Sequence, residues 1–237
     1  MKKVIISCAL LVNIVACTSN SSDPQPAVPA TFAISRTIVE VNEAVVFSEA
    51  STKAARYAWD FGNGQTATDA APSMKYAVPG TYTVSLTTYS ADNQATSTSQ
   101  TIKVGKRYLR DITITALPFL APDGTPWDTG GSGPDVYVQL RSNVAGDTVF
   151  TRTPTTSNVT PANLPLAFAV RKELTPGEWE IVVRDEDSGS NDTMRRWTLP
   201  VGGPTADRDA QGNGSYTLSG PPESPATWAV TLRYETR

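Results

Sequence analysis

A chain of 237 residues with 39% hydrophobic and 18% charged content has material for one or two packed cores, and its net charge of −3 leaves no polybasic character. The chain contains no histidine, which excludes imidazole-activated serine and cysteine nucleophiles, histidine general bases and most zinc sites. No basic stripe with interleaved aromatics occurs, so nucleic acid is not an expected partner.

The N-terminus, MKKVIISCALLVNIVAC, places Lys2 and Lys3 ahead of an apolar run that ends in small residues before Cys17. Broken by Ser7 and Asn13, the run is too short for a permanent bilayer span and reads as an export signal. Ile14-Val15-Ala16-Cys17 resembles the bacterial lipoprotein box. That resemblance implies removal of residues 1–16, a diacyl chain on the Cys17 sulfur, and residence in the bacterial envelope, at the periplasmic face or the outer surface of the outer membrane. Cys8 leaves with the signal, so the mature chain has no second thiol for an intramolecular disulfide. Removal of Lys2 and Lys3 leaves 18 basic side chains against 23 acids, a mildly acidic protein.

Residues 17–30 follow the signal, and TSNSSDPQPAVPA within them is polar and rich in proline. Such a composition stays extended and serves as a tether.

A first domain is expected over 31–104. Tyr57, Trp59 and Phe61 alternate with Ala58 and Asp60, placing three aromatics on one sheet face, and Gly62-Asn63-Gly64 supplies a tight turn. Tyr82, Val84 and Leu86 alternate with Thr81, Thr83, Ser85 and Thr87 behind Pro79-Gly80, the pattern of a half-buried antiparallel strand. Trp59-Asp60-Phe61-Gly62-Asn63-Gly64, followed by Tyr76-Ala77-Val78-Pro79-Gly80-Thr81-Tyr82-Thr83-Val84, resembles the PKD domain. The resemblance implies an immunoglobulin-like sandwich whose aromatics form the core.

A second domain is expected over 107–237, separated from the first by the Gly105-Lys106 junction alone. Two self-sufficient sets of strands on so short a joint predict two units that fold independently. Eight strands are read near 108–117, 135–141, 147–152, 166–172, 178–184, 194–200, 215–219 and 227–234. Trp179, Ile181 and Val183 share one face of the fifth, and Trp228, Val230, Leu232 and Tyr234 share one face of the eighth. No stretch has helical periodicity, so the whole chain is expected to be all-β, with two β-sandwich domains.

The stretch VVRDEDSGSND, at the end of the fifth strand, carries Asp185, Glu186, Asp187 and Asp192. The loop between strands one and two, APDGTPWDTGGSGPDVYVQL, carries Asp123, Asp128 and Asp135. Like charges gathered this closely are either left solvated or given a cation. If the first and fifth strands are neighbours, both loops open at one end and up to five aspartates converge. Calcium takes six to eight oxygen ligands, and carboxylates on glycine-rich loops supply them.

The two loops and the strand count resemble the C2-type calcium-binding domain in its permuted form. The resemblance implies Asp128 and Asp135 as ligands from the first loop, with Asp185, Asp187 and Asp192 from the later one. The family's Asp-Pro-Tyr order stands here as Pro134-Asp135-Val136-Tyr137, and Arg195 and Arg196 follow where a glycine is common. Glu186 is expected to point away from the cluster. Trp127 is the one residue near the loop tips able to insert or stack on a ligand, though a tryptophan at a loop base also packs on a core.

The expected function is a lipid-anchored binding or adhesion module for a glycan, protein or lipid, with calcium as cofactor and no catalytic activity. A structural spacer of an envelope assembly without a metal site is the alternative. A carboxylate-based glycoside hydrolase is the remaining class, since acids are the only abundant catalytic residue type.

Overall fold

The computed structural model describes residues 27–51, 54–142, 150–188, 191–202, 208–220 and 228–237. Cys17, the signal and most of the tether therefore lie outside the described residues, as does the Gly189-Ser190 tip. The regular structure of the described residues is strand throughout, apart from one 3₁₀ turn at Pro161–Asn163.

The first core lies between two sheets. One contains β1 (Phe32–Ile34), β3 (Ala44–Glu49) and β6 (Ser73–Lys75). The other has the order β2-β8-β7-β4-β5, with β2 at Ile38–Glu40, β4 at Arg56–Asp60, β5 at Thr66–Ala67, β7 at Gly80–Tyr89 and β8 at Ala95–Gly105. Trp59 is buried against Phe32, Phe47 and Phe61, with its closest ring centroid, that of Phe32, at 5.1 Å in an edge-on contact. Its indole N–H donates to the Asp69 carbonyl at 2.8 Å, so the core's largest ring leaves no polar atom unsatisfied. Tyr57 is only half-buried and packs at the margin of this core.

The second domain is a sandwich of two four-stranded antiparallel sheets. One has the order β11-β10-β13-β14, from Phe150–Arg152, Val136–Ser142, Gly177–Glu186 and Asn191–Val201. The other has the order β12-β9-β16-β15, from Leu166–Glu173, Arg107–Ala116, Ala229–Thr236 and Asn213–Ser219. Trp179, Ile181 and Val183 of β13 face Val230 and Leu232 of β16 in one continuous core, as the period-two pattern requires.

One topological expectation is corrected. The first and fifth strands of this domain, β9 and β13, lie in different sheets; it is β10 that pairs with β13, in antiparallel register from Val136↔Asp185 to Ser142↔Trp179. The two acidic segments meet because the start of β10 adjoins the end of β13.

The joint between the domains is more than a short linker. Only Lys106 separates β8 from β9, and its N–H and carbonyl exchange hydrogen bonds with Arg237. Two arginines of the second domain, each with a 1% exposed side chain, meet two glutamates of the first. Arg107 grips Glu40 with Nε at 2.8 Å and a second nitrogen at 2.7 Å, while Arg208 reaches Glu40 at 3.3 Å and also Glu43. Thr236 donates to Glu40, and Arg107 lies against the rings of Tyr216 and Tyr234. Paired charges sealed from water hold their geometry closely, because separating them strands a buried ion.

Candidate metal centre

The end of β13 is built so that a carboxylate enters the fold. Val183 faces the core, and after a bulge between Val183 and Arg184 the strand continues to Asp185 and Glu186. Asp185 is thus a strand residue with 0% exposure rather than a loop acid. Its partner across the hairpin is Asp192, the second residue of β14, which is exposed.

Asp185 Oδ1 accepts the Asp135 backbone N–H at 2.6 Å. Oδ2 is buried and has no hydrogen-bond partner among the described residues. Asp128 and Asp187 join it: one carboxylate oxygen from each of the three residues lies within 4.8 Å of the others. Burial above all pushes the Asp185 carboxyl up to about 6, opposed by the Asp135 N–H and assisted by the charges of Asp128, Asp187 and Asp135. Burial also raises Asp187, followed by the charges of Asp192, Asp128 and Asp135.

The other acids have different tasks. Asp135 accepts the Asn158 N–H at 2.7 Å, so its carboxylate ties β10 to the segment before the 3₁₀ turn. Nearby, an added Cβ at Gly133 would fall 1.9 Å from the Val159 carbonyl oxygen, so this residue of the glycine-rich loop serves close backbone approach rather than freedom. Asp123 accepts from both the N–H and hydroxyl of Thr125, and those bonds hold its carboxyl below the usual range. Glu186 turns away from the cluster to Arg152 and Thr155, and Arg152 chiefly lowers its carboxyl. It is paired rather than merely solvated. Trp127 is half-buried against the second core and donates its indole N–H to the Pro118 carbonyl at 3.1 Å.

Of the five aspartates expected as ligands, Asp128, Asp185 and Asp187 come together, Asp192 stands opposite Asp185, and the Asp135 side chain is engaged elsewhere. The donors are all oxygens. One buried oxygen lacks a donor among the described residues and neighbouring carboxylates repel it, which fits a hard divalent cation.

Residues 24–104 match the family model of the PKD domain. A stretch of 48 residues, 20% of this chain, is 50% identical to the pre-pro-metalloprotease PrtV of Vibrio cholerae serotype O1, and it spans only 5% of that curated relative's length. Among solved structures, the PKD1 domain of the V. cholerae metalloprotease PrtV is 35% identical, with 33% of this chain covering 98% of that domain at a TM-score of 0.30. A C2 domain protein from Ramazzottius varieornatus is 11% identical, with 56% of this chain covering 91% of it at a TM-score of 0.35.

Proposed function

Residues 24–104 are a PKD domain, and from that premise we propose a non-catalytic binding and adhesion module, held in the bacterial envelope by a lipid on Cys17, whose second domain takes calcium. Asp128, Asp185 and Asp187 would hold the ion, with water and the nearby Asp192 available to complete its shell. Bound calcium would offset two of the three clustered charges and fix the acidic end as a binding surface for a glycan, protein or lipid ligand.

The observation that carries this reading is Asp185. A carboxylate oxygen sealed from water, without a donor among the described residues and beside two further carboxylates, is unfavourable by itself. A solvated acidic rim would leave every carboxylate in water. Calcium suits the oxygen-only donor set, and magnesium suits it less because it requires a smaller octahedral shell and dehydrates reluctantly.

Calcium titration of the mature chain, followed by thermal unfolding, tests the reading. For extracellular modules with dissociation constants of ~10⁻⁴ to 10⁻³ M, about 10 mM calcium adds roughly 1.4–2.7 kcal/mol. A response no larger than that to magnesium, and reproduced by sodium chloride of equal ionic strength, rejects the metal site. The cross-domain arginine–glutamate network favours a second reading, a rigid spacer without a metal, and the same titration separates the two.

A further inference from the structure

The sheet β12-β9-β16-β15 breaks register on both sides of one residue. β12 pairs with β9 at Ala169↔Asp111 and resumes at Lys172↔Leu109, so Val170 and Arg171 together oppose the single residue Arg110. On the other side of β9, Arg233↔Asp111 is followed by Tyr234↔Leu109, which leaves Arg110 without an opposite number. Bulges re-aim side chains, and here two of them act at one point. Val170 packs against the core, while Arg171 is exposed.

Arg171 has φ +51. A β-carbon crowds the backbone in this left-handed region, and glycine is its ordinary occupant at such a bulge. Three arginines, Arg110, Arg171 and Arg237, line a recess of about 550 Å³ together with Tyr108, Asp111 and Glu235. Arg110 and Arg237 share Glu235, at 4.0 and 3.4 Å, and the Arg237 guanidinium lies 4.0 Å from the centre of the Tyr108 ring. Asp111 is engaged by Arg233 at 3.0 Å. The recess thus holds a surplus of positive charge in a chain whose net charge is −3.

Like charges opposed across neighbouring strands repel, and a left-handed arginine is strained. An anion relieves the first cost, and a binding role gives a reason for the second. Guanidinium groups present paired N–H donors that match two oxygens of a carboxylate or a phosphate. We propose that this recess is an oxyanion site that takes the carboxylate or phosphate group of a ligand, with Arg171 and Arg110 as donors and Arg237, stacked on Tyr108, as its wall. The site lies outside the acidic cluster and does not depend on calcium.

The test is thermal unfolding of the mature chain, stripped of metal on a chelating resin, at neutral pH. Sodium phosphate or, separately, sodium citrate is raised while sodium chloride holds ionic strength constant. A saturable rise in Tm is expected. A rise with phosphate alone assigns a phosphate group, one with citrate alone assigns a carboxylate, and a rise with both assigns the shared oxyanion chemistry. Arg171→Gly is expected to melt higher than the parent in chloride, because glycine is at ease at this φ, and to lose the anion response. Arg141→Gln, on the other sheet, is expected to keep it. No saturable rise with either anion, or a rise that survives Arg171→Gly unchanged, overturns the proposal.

Discussion

The Asp135 backbone N–H and the Asp185 carboxylate meet at 2.6 Å, joining the start of β10 to the end of β13 and giving one oxygen of a buried acid a donor. Replacements at residue 185 therefore separate charge from hydrogen bonding. Asp185→Asn retains an acceptor for that N–H and removes a charge, so its stability without calcium is expected to equal or exceed that of the parent. Asp185→Ala strands the N–H and is expected to cost about 1–3 kcal/mol. Both variants, and the double variant Asp185→Asn, Asp187→Asn, should lose the calcium-induced rise in Tm. A parent-like calcium response in the double variant would contradict this.

The same carboxyl predicts a pH dependence. In the fold it titrates near 6, above its ordinary 3.8, because burial disfavours its charged form. The folded state therefore holds this proton more tightly than the unfolded chain does. Its contribution to stability is fully present below pH ~3.8 and is lost as pH rises through about 6, an effect of roughly 1–3 kcal/mol after allowance for solvent screening. Unfolding of metal-free parent and Asp185→Asn across this window should show the parent losing stability relative to the variant as pH rises. Parallel profiles would remove Asp185 as the cause.

Arg208 predicts coupling between the domains. Truncation to alanine leaves Glu43 and part of Glu40 buried without their partner, an expected loss of about 3–5 kcal/mol. Arg208→Met with Glu43→Leu removes both charges and should recover part of that loss. If the interface stabilises both domains, fragments 31–104 and 107–237 will each melt below the joined chain. Fragments that melt as the joined chain does would show full independence.

Anchoring is checked in cells. Cys17→Ala should remove the protein from the membrane fraction or arrest its processing, and a labelled fatty acid should mark the parent alone. An unlabelled parent would rule out the lipid anchor.

The elements were legible because alternation is a local signal. Trp179, Ile181 and Val183 announce an inward strand face without reference to any other residue. Pairing is not local: nothing near Val136 shows that its partner is Asp185 rather than a residue of β9. The later acidic segment read as a loop because acids and glycines weaken strand patterns, yet β13 continues through Glu186 and β14 starts at Asn191. The network at the joint left no trace in the sequence, since Arg208 and Glu43 stand 165 residues apart and neither belongs to a charge run. Arg171 was equally silent, because a bulge is a property of two strands in register and not of either alone.

The single residue Lys106 between β8 and β9 also acts as a phase setting. Successive side chains of extended backbone point to opposite sides, so inserting or deleting one residue at this point would reverse the side on which Arg107 leaves the chain. Arg107 could then meet Glu40 only if the whole second domain turned about the strand axis, carrying the acidic end to a different bearing. An in-frame indel of a single codon, harmless in most surface connections, would here change the direction in which the second domain points relative to the first.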